Sequence, residues 1–200
     1  MLALIMGGGE GSRLGLGEKP LVTVQGKPMI GSVIEAFNQA GHEVLVVLTP
    51  RTPYTANWCR TQGVPTLTTK GKGYVEDLVE AVRELEEKNP LFTSVSDLPC
   101  LRPATLRQIH ALYQASIKPA CSTWVPVEIL QETGLSCHYP DSVDGVLACP
   151  AGVNIVMGSQ IQKEQEEDRF VLSELDLALH VNTRSDLAIA RALCPQIRSS

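Results

Sequence analysis

The chain is 200 residues long, 44% hydrophobic and 20% charged, with a formal net charge of -5 at pH 7. Such a composition excludes a disordered or membrane-spanning chain, and the length suits one core that buries roughly 70% of the surface an unfolded chain exposes, with no room for a second. The acidic balance argues against nucleic acid as a partner, because phosphate backbones are held by an excess of Lys and Arg.

The sequence opens on MLALIMGGGEG, an apolar run too short to span a membrane and without a basic leader, so a cytoplasmic chain is expected. A first strand over 2–6 feeds directly into a glycine-rich segment, 7–17. Met29, Ile30, Val33, Ile34 and Phe37 share one face and predict a helix over 28–40, with Pro28 in its first turn and Gly41 closing it. The run EVLVVLT, 43–49, is almost continuously apolar and predicts a strand covered on both faces, central in its sheet. A weaker helix over 52–62 and a short strand near Thr66 precede the clearest helix, 74–88, where Val75, Leu78, Val82 and Leu85 recur at spacings of three and four. A strand over 91–96 runs into Asp97-Leu98-Pro99, and a helix is predicted over 103–115.

The second half is less regular. Strands are predicted over 120–125 and 152–157, the polar run 160–169 reads as a solvated loop, and 177–181 reads as a last strand. Thr183-Arg-Ser-Asp186 has the form of a capping box opening a terminal helix. Strand and helix signals alternate, so the fold class is α/β: a single-domain, Rossmann-like, mostly parallel sheet with flanking helices.

Chemistry concentrates first in GGGEGSRLGLGEKP, residues 7–20. Four glycines (Gly7, Gly8, Gly9, Gly11) within five positions let backbone N–H groups converge on an anion, and Arg13 and Lys19 add charge beside them. No GKS or GKT follows, so this is not a Walker loop, and no convincing acidic ribose ligand supports a dinucleotide site. A plain tight turn is the competing reading, disfavoured by the two cations. Asp97 lies at the carboxyl end of a strand, where open α/β sheets collect ligands, and a carboxylate there suits Mg²⁺ beside phosphate oxygens and water; a turn-capping Asp is the alternative. Gly71, Gly73, Tyr74 and Glu76 open the clearest helix and could hold a base, ribose or phosphate, or form only a basic turn. Gly152 and Asn154 offer close approach and a two-way hydrogen-bonding amide. The six cysteines show no zinc spacing and read as reduced, buried thiols, and the four histidines as core or helix-face residues.

With those residues in view, the chain resembles the GT-A-like (MobA-like) nucleotidyltransferases, whose motif GGxGxRxG...KP matches residues 8–20. Within them it is most similar to the archaeal-type GTP:adenosylcobinamide-phosphate guanylyltransferases. That likeness is carried by LALIMGGGEGSRLG, GKGYVEDL (71–78), SDL (96–98), PAGVN (150–154) and NTRSDL (182–187). The resemblance implies transfer of GMP from GTP to the phosphate of adenosylcobinamide phosphate in cobalamin biosynthesis, with pyrophosphate leaving and Mg²⁺ as cofactor. It implies that the loop Gly7, Gly8, Gly9, Glu10, Gly11, Ser12 and Arg13 holds the triphosphate and Lys19 bridges its phosphates. Asp97 would bind the metal, Gly71, Gly73, Tyr74 and Glu76 would lie near the nucleoside, and Gly152 and Asn154 near the acceptor. Residues 1–115 would then be a nucleotide-binding half and 116–200 an acceptor-binding half, with a homodimer left open. Gly7 replaces a common Ala, Glu10 a common Lys, and Asn154 an acidic second metal ligand of several relatives, which leaves the metal count open. A sugar-1-phosphate or molybdopterin acceptor, or a non-catalytic GTP sensor, are the alternatives.

Overall fold

The computed structural model describes residues 1–9, 11, 14–137 and 139–199. The first half alternates strand and helix: β1 (Leu2–Met6), the short hairpin β2 (Thr23–Val24) and β3 (Lys27–Pro28), α1 (Met29–Gln39), β4 (Glu43–Leu48), α2 (Pro53–Thr61), β5 (Thr66–Thr68), α3 (Tyr74–Glu84), β6 (Pro90–Val95) and α4 (Pro103–Ala115). The second half adds β7 (Ala120–Pro126), α5 (Val127–Thr133), β8 (Asp141–Val143), β9 (Val146–Met157), β10 (Glu167–Val171), α6 (Leu175–Ala178) and α7 (Arg184–Ser199).

The main sheet runs β10-β7-β9-β6-β1-β4-β5, with β8 paired to β9. β1 pairs in parallel with β4 and β6, and β5 with β4; β9 runs antiparallel to both β6 and β7. The mostly parallel α/β sheet is thus as expected, with three corrections. The strand at 43–48 is not central, because only the three-residue β5 lies beyond it and β6 takes the middle. Its continuous apolarity reflects cover on both faces rather than position. The predicted strand 152–157 begins at Val146, and the predicted strand at 177–181 is instead the end of α6 and a tight turn outside the sheet, where the His180 N–H donates to the Ala178 carbonyl. The polar run 160–169 ends in β10, an edge strand that tolerates polar side chains: Arg169 lies over the Trp124 ring, 3.9 Å from its centroid, and donates to Asp141.

Helices cover both faces. Ile30, Val33 and Phe37 of α1, and Leu106 and Ile109 of α4, pack on one face with Ile5 and Phe92; Leu78, Ala81 and Val82 of α3 meet Leu4, Val47 and Leu91 on the other. Gly41, at φ 85°, ends α1 as predicted, and Asp186 accepts from the Asn182 and Thr183 N–H groups while Thr183 Oγ1 accepts from Asp186 N–H, the predicted capping box of α7. Four of the six cysteines are not free thiols: Cys100–Cys194 and Cys137–Cys149 are disulfides, their Cα atoms 5.1 Å and 6.0 Å apart. Spacing in the sequence could not reveal them, since the fold brings residues 94 positions apart together. Cys59 and Cys121 are buried thiols as expected, each pushed up in pKa by burial.

Candidate active site

Parallel strands all end at one edge, so β1, β4, β5 and β6 deliver their loops to a common crevice. That crevice is a cleft of about 300 Å³, lined among others by Gly8, Gly9, Lys19, Thr49, Arg51, Gly71, Gly73, Tyr74, Asp77, Ser96 and Asp97. Gly8 has to lack a side chain: a Cβ there would lie 2.7 Å from Thr49 Cγ2. Gly9 accepts a hydrogen bond from the Lys19 N–H at 3.2 Å, which folds the loop back on itself. Gly11 accepts from Leu14 and Gly15 and shapes the turn, outside the cleft lining. Gly7 also stands outside it, its N–H donating to Val47 O at 2.8 Å as a continuation of the β1–β4 ladder. Glu10, Ser12 and Arg13 lie outside the described residues.

At the carboxyl end of β6, Asp97 meets Lys19, whose Nζ donates to Asp97 Oδ2 and, at 2.7 Å, to Asn182 Oδ1. His180 Nδ1 stands 3.3 Å from Asp97 Oδ1, and the Val181 N–H donates to the Asp97 backbone carbonyl. Burial by itself would raise the Asp97 carboxyl; the hydrogen-bonding and charge influence of His180, joined by the Lys19 ammonium, outweighs it and holds the group well below the usual carboxylate range. Asp97 is 7% exposed, with the Lys19 ammonium on Oδ2 and the His180 ring beside Oδ1. An ionised carboxylate on the wall of a phosphate-sized cleft fits Mg²⁺, which takes one or two carboxylates and fills its other positions with phosphate oxygens and water. No group of three or more His, Cys, Asp or Glu residues suited to an all-protein metal cage occurs among the described residues.

One side of the cleft is built by the loop into α3. Asp77 Oδ1 accepts from Gly71 N–H at 2.9 Å and Lys72 N–H at 3.1 Å, and Arg51 donates to the Gly71 carbonyl. Tyr74 places its ring at the cleft and buries its hydroxyl against Thr93 Oγ1 at 2.5 Å, burial raising its pKa. Glu76, predicted beside the nucleoside, is exposed on the outer side of α3 and does not line the cleft; its neighbour Asp77 takes the inner position. Glu18, in the GEKP segment, accepts from the N–H groups of Tyr54 and Thr55 and so anchors the glycine loop to the start of α2.

Gly152 and Asn154 do not reach this cleft. Ser122 faces Asn154 while Trp124 faces Pro150, so β9 bulges over 151–153, and Gly152 at φ 67° lets Val95 and His180 close in: a Cβ there would lie 2.9 Å from Val95 Cγ2. Asn154 Oδ1 accepts from Thr123 N–H at 3.3 Å within the sheet, one strand pair away from Asp97. The residues that sequence reasoning missed are Arg51, Asp77, His180 and Asn182. Arg51 comes just after a strand end, a readable signal; His180 and Asn182 reach the site only through the chain's return after α6.

Residues 3–144 match the family model of the MobA-like NTP transferase domain. The chain belongs to that family. Among relatives, this MobA-like transferase is 31% identical over 96% of its length, and 97% of the relative's, to the adenosylcobinamide-phosphate guanylyltransferase of Methanocaldococcus jannaschii. In fold it is similar to molybdopterin-guanine dinucleotide biosynthesis protein A from Archaeoglobus fulgidus (TM-score 0.67, 17% identity, 98% of this chain and all of that one). It is likewise similar to CMP:2-keto-3-deoxy-manno-octonic acid synthetase complexed with CTP (TM-score 0.71, 18% identity, 98% of each chain). Among the described residues no helix is long and apolar enough to cross a membrane.

Proposed function

We propose that this transferase moves GMP from GTP to the phosphate of adenosylcobinamide phosphate, releasing pyrophosphate, as a cytoplasmic step of cobalamin synthesis. The observation that carries the reading is the end-to-end likeness to the M. jannaschii guanylyltransferase, which fold similarity alone would not supply. In this reading the Gly8 and Gly9 backbone and Arg13 cradle the triphosphate, Arg51 and Asp77 fix the loop beside the nucleoside, and Tyr74 closes that side.

Lys19 has two positions in this scheme. Paired with Asp97 and Asn182, it balances a buried carboxylate; with nucleotide bound, it turns to the phosphates and frees Asp97 Oδ2. Asp97 would then hold Mg²⁺, which supplies charge neutralisation on the triphosphate oxygens. The acceptor's phosphate attacks the α-phosphorus in line, and because a phosphate monoester has a second pKa of about 6, the nucleophile is already ionised at neutral pH. No general base is required. The protein's contribution is positioning and charge, as elsewhere in phosphoryl chemistry.

Pyrophosphate release from GTP with Mg²⁺, with and without adenosylcobinamide phosphate and with ATP, CTP and UTP alongside, tests this. Release confined to GTP plus the acceptor is expected. Release with a sugar-1-phosphate or molybdopterin instead would move the chain to another acceptor, and tight GTP binding with no release under any condition would make it a sensor.

A further inference from the structure

We propose that a second cavity, of about 450 Å³, receives the non-phosphate body of the acceptor, with Tyr139 as the face against which that body packs. The inference rests on the transfer reaction proposed above and names where its second substrate sits.

The cavity lies along the same sheet edge as the nucleotide cleft, but reaches it differently. β9 runs against its neighbours, so Cys149 and Pro150, in its first half, lie opposite Val125 and Trp124 at the carboxyl end of β7. Charge separates the two spaces. The cleft carries Lys19 and Arg51, whereas no Lys or Arg lines the second cavity among the described residues; Leu130, Leu135 and Pro150 give it apolar patches, and Ser136, Asn182 and Asp186 give it polar ones. A doubly charged phosphate meets no Lys or Arg on such walls and faces the Asp186 carboxylate, while a body without negative charge that carries both apolar and amide groups is matched by them.

The two spaces share one partition. His180 and Asn182 line the second cavity, and the same two residues approach Asp97 and Lys19, at 3.3 Å and 2.7 Å. A ligand whose body fills the cavity and whose phosphate is on the near end therefore presents that phosphate to Asn182 and Lys19, where the α-phosphorus of a nucleotide in the cleft has to be. Tyr139 lines the cavity yet is 78% exposed, and the Cys137–Cys149 bridge pins the chain two residues before it. An aromatic ring held outside the core in this way is a prepared surface for a broad, flat group too large for the cavity to enclose.

The experiment compares steady-state GMP transfer by the wild-type chain and by Tyr139→Ala, varying GTP and adenosylcobinamide phosphate separately. It adds adenosylcobinamide without its phosphate as an inhibitor. The expected result is an acceptor KM raised about tenfold with the GTP KM unchanged, and unphosphorylated adenosylcobinamide competing with the acceptor but not with GTP. Because Tyr139 is exposed, the variant should fold, and circular dichroism checks that it does. An unchanged acceptor KM in a folded, active Tyr139→Ala protein overturns this placement while leaving the transfer reaction standing. Absence of transfer by the wild-type chain to this acceptor overturns the reaction itself, and the inference with it.

Discussion

The two halves of the molecule supply the same sheet edge by opposite means. From β1 to β6, parallel strands end in short loops, and the cleft is lined by the residues just beyond each strand: backbone at Gly8 and Gly9, Arg51 after β4, the Gly71–Gly73 turn after β5 and Asp97 after β6. From β7 onward, an antiparallel strand brings its start to the edge, and the walls are side chains fixed by a disulfide and by the return of the chain at His180 and Asn182. A cradle made largely of main chain and a few charges would grip the triphosphate that all such transferases share. A wall made of side chains and cross-links can be rebuilt for a new acceptor without disturbing it. The half that would bind the shared substrate is regular, and the half that would choose the acceptor is not.

Variants can break or sharpen that contrast. The largest effect is expected at Asp97, where Asp97→Ala should lower turnover about a thousandfold in a pyrophosphate-release assay while circular dichroism stays native; near-normal activity would remove this residue from the chemistry. The second half should depend on its bridges for stability more than the first. Replacing Cys100 and Cys194 together by Ser should cost about 3 kcal/mol in denaturant unfolding, and an unchanged midpoint would mean that the bridge does not constrain the chain in solution.

At the opposite, amino edge of the sheet, His42 packs with Phe37, Phe92 and His110, and both its ring nitrogens lack hydrogen bonds among the described residues. Burial, with His110 nearby, lowers its pKa from 6.5 to about 4. A histidine depressed in the folded state leaves stability intact above the unfolded value. As pH falls from 6.5 toward 4, the unfolded chain gains the proton first, so stability declines over that window by about 3 kcal/mol and then levels. His42→Phe should flatten the decline in urea titrations at successive pH values. The smallest effect belongs to Asp77→Ala: losing the acceptor of two loop N–H groups should raise the GTP KM about tenfold and leave the acceptor KM alone. A change in both would blur the division between the halves.

Legibility in the sequence divides along the same line. β1, the glycine loop, α3 and the position of Asp97 each have a local cause: an apolar run, a glycine cluster, a period of 3.6, a strand end. The features hidden from the sequence depend on distant pairing. The short α5, seven residues long, shows too little period to be seen, and β10 is polar because an edge strand can be. Glu76 and Asp77, adjacent acids in a first turn, are alike in sequence; which one faces the loop is settled by the angle at which α3 lies on the sheet. The PAGVN motif suggests a place near the acceptor for Asn154, yet the bulge at 151–153 and its partner Thr123 keep it in the sheet.

The two disulfides are nested in the chain, since the pair 137–149 falls wholly inside the span 100–194. Residues 100–194 therefore form a closed covalent ring with a smaller ring inside it, anchored three positions after Asp97. A single protease cut anywhere within the large ring would leave both fragments migrating as one species on a gel until a reductant is added. Cut once, the C-terminal helix could not drift away from the loop that carries Asp97. Such bridges persist only where the surroundings do not reduce them, so the same cut that is silent in an oxidising solution would release the C-terminal fragment in a reducing one.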